Sequence, residues 1–154
     1  MKIMGLDFGS RTTGVAMTDE LMMMVHPVET ILRDREMMLR HTLQRIEVLV
    51  AENDVRLIIM GLPLNMNGTM SERAKLTEAF ADRLRRRLGL PVILSDERLT
   101  TVASNELLDE MNVRGRTEKK RVVDQLAAQM ILQEYLNNHP GELADWRAGR
   151  FPEV

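Results

Sequence analysis

Apolar and polar positions divide the chain into three short strand-like runs followed by an alternation of helical and strand patterns. Residues 2–8 (KIMGLDF) and 13–19 (TGVAMTD) are apolar-rich runs joined by Gly9, Ser10 and Arg11, which predicts an antiparallel hairpin. A third run over roughly 22–31 completes a meander, with Met22, Met23 and Met24 expected to fill a core or a strand face. From Asp34, an expected N-cap, to about Asn53, the residues Met37, Met38, Leu43, Ile46, Val48, Leu49 and Val50 recur at mostly helical spacing. Residues 55–63 (VRLIIMGLP) are continuously aliphatic, the pattern of a central parallel strand buried on both faces.

A second helix is expected after the Asn67-Gly68 turn and runs to about Leu88, closed by Gly89. Its inward positions are Ala74, Leu76, Ala79, Phe80 and Leu84, while Arg83, Arg85, Arg86 and Arg87 face outward. Residues 91–97 (PVILSDE) form a fifth strand, and 100–111 (TTVASNELLDEM) a short helix capped by Thr100 or Thr101. Residues 112–120 read as an exposed loop, with a last helix from about Glu118 to Asn138. Beyond His139-Pro140-Gly141 the residues, Trp146 included, lack periodicity, so the chain divides into a domain over 1–138 and a loosely docked tail over 139–154. The order predicts an α/β fold: a mixed five-stranded sheet, made of a three-strand antiparallel meander plus two parallel strands, flanked by helices. Right-handed crossovers would bring the C-terminal ends of strands 1, 4 and 5 to one edge, where chemistry is expected.

Composition narrows the class. A length of 154 residues suits one domain, and 44% hydrophobic with 29% charged residues is the balance of a globular protein rather than a disordered one. The absence of cysteine removes disulfides, thiolate metal sites and thiol nucleophiles, and fits a reducing, cytoplasmic setting. No apolar run is long enough to span a membrane. With 21 basic and 23 acidic residues the net charge is −2, so a nucleic-acid partner would need a local basic patch. Aromatics at 3% argue against base-stacking platforms.

Three acidic positions converge on the expected edge: Asp7 near the end of strand 1, the pair Asp96 and Glu97 at the end of strand 5, and Asp124 in the last helix. At about 100° per residue Asp124 shares a helical face with Ala127, Ala128, Ile131 and Tyr135, whereas Gln125, Gln129 and Gln133 fall on the other side. An acid on an apolar face costs several kcal/mol unless a cation or metal compensates it. Two readings follow. In one, the carboxylates hold Mg²⁺ or Mn²⁺, hard cations that take oxygen ligands and promote phosphodiester hydrolysis. In the other the acids are unrelated: Asp7 caps a turn, Asp124 pairs with Lys120 or Arg121, and Glu97 is solvated. Strand alternation sends only one of Asp96 and Glu97 to a given face, and on the residues alone either could serve.

Around these acids stand candidate phosphate contacts. Asn65, in GLPLN at the end of strand 4, could position a phosphate or a carboxylate, or simply close a turn. Arg98 and Thr100 flank Glu97, as a fork donor and a hydroxyl or as an ion-pair partner and a helix cap. Arg114, Arg116, Lys119, Lys120 and Arg121 concentrate positive charge before Asp124, as a phosphate-backbone contact or a solvated face. Other chemistries fail: Val15 and Ala16 stand where a P-loop needs Lys and Ser or Thr, no GxSxG occurs, and His26, His41 and His139 lack zinc-ligand spacing.

The blocks FGSRTTGVAMTD, IIMGLPLNMNGTMSERA, SDERLTT and KKRVVDQLAAQMILQEYL, in this order over residues 1–138, together resemble the YqgF (RuvX-like) family, nucleases of pre-16S ribosomal RNA related to Holliday junction resolvases. The resemblance implies an RNase H-like fold and carries the catalytic, metal-binding acids onto Asp7, Glu97 and Asp124, selecting Glu97 of its pair. It implies a metal-dependent nuclease maturing the 5′ end of pre-16S ribosomal RNA. Structured RNA is then the expected partner, and a monomer or weak homodimer the expected state. Two alternatives are a junction resolvase acting on branched DNA, for which a two-fold dimer would be needed to cut both strands, and a non-catalytic nucleic-acid-binding module.

Overall fold

The computed structural model describes residues 1–96 and 116–154, with the side chains of 116–120 excepted. The elements in chain order are β1 (Lys2–Phe8), β2 (Thr12–Thr18), β3 (Val25–Leu32), α1 (Arg40–Glu52), β4 (Val55–Leu62), α2 (Glu72–Leu88), β5 (Val92–Asp96), α3 (Arg116–Asn138) and α4 (Pro140–Arg147). They build one five-stranded sheet in the order β3-β2-β1-β4-β5. β1 pairs antiparallel with β2 and parallel with β4, and β4 pairs parallel with β5. The expected meander and parallel strands are both present. Leu6, Met60 and Leu94 lie in one row across the three parallel strands, so Asp7 and Asp96 end up on the same edge of the sheet.

The two-residue period of the strands sorts their side chains between two helical layers. Met4, Leu6 and Phe8 of β1 join Val15, Met17, Ile58 and Met60 in a core with Leu43 and Ile46 of α1 and Phe80 and Leu84 of α2. On the other face Ile3, Leu57 and Ile59 pack with Ile131, Leu132 and Tyr135 of α3. Gly5 and Asp7 belong to this second face by alternation. A Cβ on Gly5 would lie 2.8 Å from both the Ala128 carbonyl oxygen and Leu132 Cβ, so α3 rests directly on the sheet there.

Several local expectations change. Asp34 does not begin α1. The helix starts at Arg40 with Leu39 as its N-cap and no side-chain cap, because residues 33–36 are drawn into tertiary contacts described below. Met22 is buried, but Met23 and Met24 are 68% and 70% exposed, since only Met22 turns inward onto the α3 face of the sheet. Ala79 is exposed, the inward face of α2 passing through Ala74, Thr77, Phe80, Ala81 and Leu84. α2 is capped by the Ser71 hydroxyl, which accepts from Ala74 N at 3.0 Å. The last long helix begins at Arg116, inside the stretch expected as loop. The expected helix over 100–111 lies outside the described residues. In the expected loose tail, α4 forms behind Pro140 and buries Trp146 against Tyr135, ring centroids 5.9 Å apart. Aperiodic sequence hid this, because one aromatic anchor suffices for a two-turn helix. Among the described residues no helix is long and apolar enough to cross a membrane.

Candidate active site

Asp7 and Asp124, remote in sequence, meet through a glycine. In the β1–β2 ladder Asp7 pairs with Gly14. A Cβ on Gly14 would fall 1.9 Å from the Asp124 carbonyl oxygen and 2.4 Å from its carbonyl carbon, an impossible overlap. The N-terminal half of α3 therefore presses its backbone onto β2 at the one position without a side chain, which sets Asp124 beside Asp7. The helix is held along β3 as well, by Thr30 Oγ1 donating to the Arg121 carbonyl at 2.8 Å and by Gln125 and Gln129 donating to Thr30 Oγ1 and the Val25 carbonyl. The glutamine side thus faces the edge strand.

Asp124 is buried and Asp7 half-buried. The Asp7 carboxyl is pushed up from 3.8 to about 7, chiefly by burial and then by the charge of Asp124, with the Arg73 guanidinium opposing both. Two carboxyls crowded in a poorly solvated place resist joint ionisation, so the arrangement is strained in charge and would be relieved by a proton or a cation.

Beneath the turn that follows Asp7 lies a pair of arginines. Arg33 donates to Thr13 Oγ1 at 3.0 Å and to the carbonyls of Gly9 and Ser10. Arg73, in the first turn of α2, donates from Nη2 to the carbonyls of Phe8 at 3.1 Å and Gly9 at 2.6 Å, and pairs with Glu36 through Nη1. Both guanidiniums lie over the Phe8 ring, 4.7 and 4.8 Å from its centroid, and that ring stacks on Phe80 at 4.1 Å. Burial, and then the like charge of Arg73, hold Arg33 below its usual pKa, with Glu36 opposing.

The structure brings Asp7 and Asp124 together. Asn65 sits in an exposed loop where its amide donates to Thr69 Oγ1 at 3.0 Å and its carbonyl accepts from Gly68 N, so its side chain closes its own turn. Glu97, Arg98 and Thr100 lie outside the described residues. Arg116, Lys119 and Lys120 lie in the first turns of α3, their side chains likewise outside. Among the described residues no three His, Cys, Asp or Glu side chains form a group that could hold a metal ion. Sequence reasoning missed Gly14, Arg33 and Arg73. An isolated glycine inside a strand run signals close backbone approach and could have flagged Gly14; nothing local marks Arg33 or Arg73, whose partners are distant carbonyls.

The family described as RuvX, Holliday junction resolvase, matches residues 1–138. A relative from Lachnospira eligens named "Putative pre-16S rRNA nuclease" is 50% identical over 138 residues, covering 90% of this chain and 98% of its own. One of the same name from Listeria innocua is 47% identical over 137 residues, covering 89% and 98%. Among solved structures, Thermus thermophilus RuvC in complex with Holliday junction substrate covers 90% of this chain and 95% of its own at a TM-score of 0.53 and 10% identity, a likeness of fold alone. That fold is RNase H-like, as the sheet order and flanking helices require. A match spanning every described strand, joined by relatives identical at about half their positions, leaves one conclusion: the chain belongs to the RuvX family.

Proposed function

We propose that the protein is a divalent-metal-dependent nuclease that processes the 5′ end of pre-16S ribosomal RNA in the cytoplasm, with Asp7, Glu97 and Asp124 as catalytic metal ligands. Membership of the RuvX family and the name shared by relatives at 47–50% identity support a phosphodiester-hydrolysing enzyme. The observation that carries the site is the seating of Asp124 on Gly14 beside Asp7, which gathers two carboxyls in a place where burial first, and the charge of Asp124 second, raise the Asp7 pKa.

The residues present fit a hard cation: the donors are carboxylate oxygens, and the charge they crowd together is what a dication would neutralise. When bound, Mg²⁺ or Mn²⁺ would supply a Lewis acid for the phosphoryl oxygen and a lowered pKa for water. Asp7 and Asp124 would hold it from β1 and α3. The period of β5 supports Glu97 as the third ligand. Ile93 joins the α3-side core and Leu94 packs against the other, so by alternation Asp96 belongs to the face away from α3 and Asp7, which disfavours Asp96 and leaves its neighbour as the candidate of the pair. Arg98, Thr100, Arg116, Lys119 and Lys120 are assigned to substrate phosphates, and Asn65 to the rim, acting through its loop. The molecule works as a monomer or weak homodimer.

The family's description as a junction resolvase favours a second substrate, branched DNA. One assay separates the two: wild type and Asp7→Asn are incubated with a pre-16S 5′-leader transcript and a four-way DNA junction, with Mn²⁺ or Mg²⁺. Cleavage of the transcript at lower enzyme concentration, lost in the variant, is expected. Preference for the junction would reverse the substrate assignment, and no cleavage of either with any divalent ion would leave a binding module.

A further inference from the structure

The backbone that leaves Asp7 ends its ladder at Phe8 and turns at once, closed by Gly9 N donating to the Thr12 carbonyl at 2.7 Å. The end of a ladder frays unless something holds its carbonyls. Here two arginines do so: Arg33 takes the Gly9 and Ser10 carbonyls, and Arg73, from another layer, shares Gly9 and alone takes Phe8. Arg73 spans three segments: it donates to the Phe8 and Gly9 carbonyls of the turn, pairs with Glu36 in the segment after β3, and is itself anchored in the first turn of α2 beside the Ser71 cap. Its plane rests on the Phe8 ring, and it is only 26% exposed. Phe8 and Asp7 are neighbours on opposite faces of β1, so fixing the peptide planes at Phe8 and Gly9 from the α2 side fixes the direction of Asp7 on the α3 side.

We infer that Arg73 is a positioning residue for the nuclease reaction, setting the direction of Asp7 against Asp124 through the carbonyls of Phe8 and Gly9. The inference rests on the nuclease reading above. It requires a planar fork, because two carbonyls and a carboxylate are reached in different directions at once; a lysine at this position keeps the charge and loses the geometry. Arg73 lies under the turn and away from the α3 face, so substrate affinity does not depend on it.

The experiment compares wild type, Arg73→Lys and Arg73→Ala in steady-state RNA cleavage and, independently of turnover, in Mn²⁺ binding followed by electron paramagnetic resonance. A misplacement of a reacting group by about 1 Å costs up to about 100-fold in rate, so kcat is expected to fall at least tenfold in both variants with KM within about threefold, and Mn²⁺ affinity to fall in parallel. Arg73→Lys keeps the test open should Arg73→Ala fail to fold. Wild-type kcat and Mn²⁺ affinity in Arg73→Lys would overturn the inference, as would a rise in KM at constant kcat, which marks a substrate contact. If the wild type cleaves nothing, the nuclease reading falls, and the Mn²⁺ titration alone decides the role of Arg73.

Discussion

Gly14 and Asp124 touch backbone to backbone, and any side chain at position 14 would occupy the space of the Asp124 peptide. The obstacle is main chain, which cannot swing aside as a rotamer does, so Gly14→Ala must lift the start of α3 off β2. Overpacking of this kind typically costs about 1–3 kcal/mol, and here the upper end is expected. Cleavage should fall further than the lost stability explains, even at temperatures where the variant is fully folded. Wild-type turnover in a folded Gly14→Ala protein would show that the Asp7 and Asp124 pairing is not required.

The pH dependence of stability follows from Asp7. Its folded-state pKa, about 7, lies above the ordinary 3.8, so the folded chain holds a proton that the unfolded chain has released. The contribution is complete below about pH 4 and is lost as pH rises through 7. In EDTA the wild type should therefore lose about 1–3 kcal/mol from this group between pH 4.5 and 8, with the half-buried setting reducing the figure. Asp7→Asn should flatten that slope and melt higher than wild type at pH 8. Thermal melts across the pH range settle this, and an unchanged slope in the variant contradicts it.

Metal binding should be visible without substrate. A ligand present at about 100 times its Kd stabilises the folded state by about 2.7 kcal/mol, equivalent to roughly 5–10 °C for a chain of this size. Mn²⁺ should raise the Tm of wild type by this order and leave Asp7→Asn and Asp124→Asn nearly unmoved. Equal shifts in all three proteins would place the ion elsewhere.

The C-terminal helix is expected to support stability and not chemistry. Trp146 is buried on Tyr135, Tyr135 donates to Glu142 at 2.7 Å, and Arg147 donates to the Met22 carbonyl at 2.8 Å, pinning the β2–β3 turn. Trp146→Ala should cost about 3–5 kcal/mol. Cleavage by the variant at low temperature should match wild type, since these contacts lie at the opposite end of β1 from Asp7. A large loss of kcat in a fully folded variant would join α4 to the site.

The sheet was legible because periodicity and residue type agreed: VRLIIMGLP can be little other than a doubly covered strand, and the Gly9-Ser10-Arg11 turn little other than a hairpin. Asp124 was legible for a related reason, a charge on a face otherwise made of Ala127, Ala128 and Ile131. What escaped depends on partners distant in sequence. Asp34 reads as the polar start of a helix, yet the hairpin carbonyls draw in Arg33 before it and the guanidinium of Arg73 draws in Glu36 after it, at the expense of the helical turn that Asp34 could have capped. Met23 and Met24 read as core beside Met22, but a turn buries one of three consecutive residues, not all.

The pleat of β1 binds foldability to the proposed site. Successive residues alternate between the aromatic floor under the hairpin and the face that meets Asp124, so inserting or deleting one residue ahead of Asp7 would deliver a carboxylate into the hydrocarbon interior and a phenyl ring against Asp124 in a single event. Surface loops of this protein can lengthen or shorten over evolutionary time; the seven residues of its first strand must keep their number.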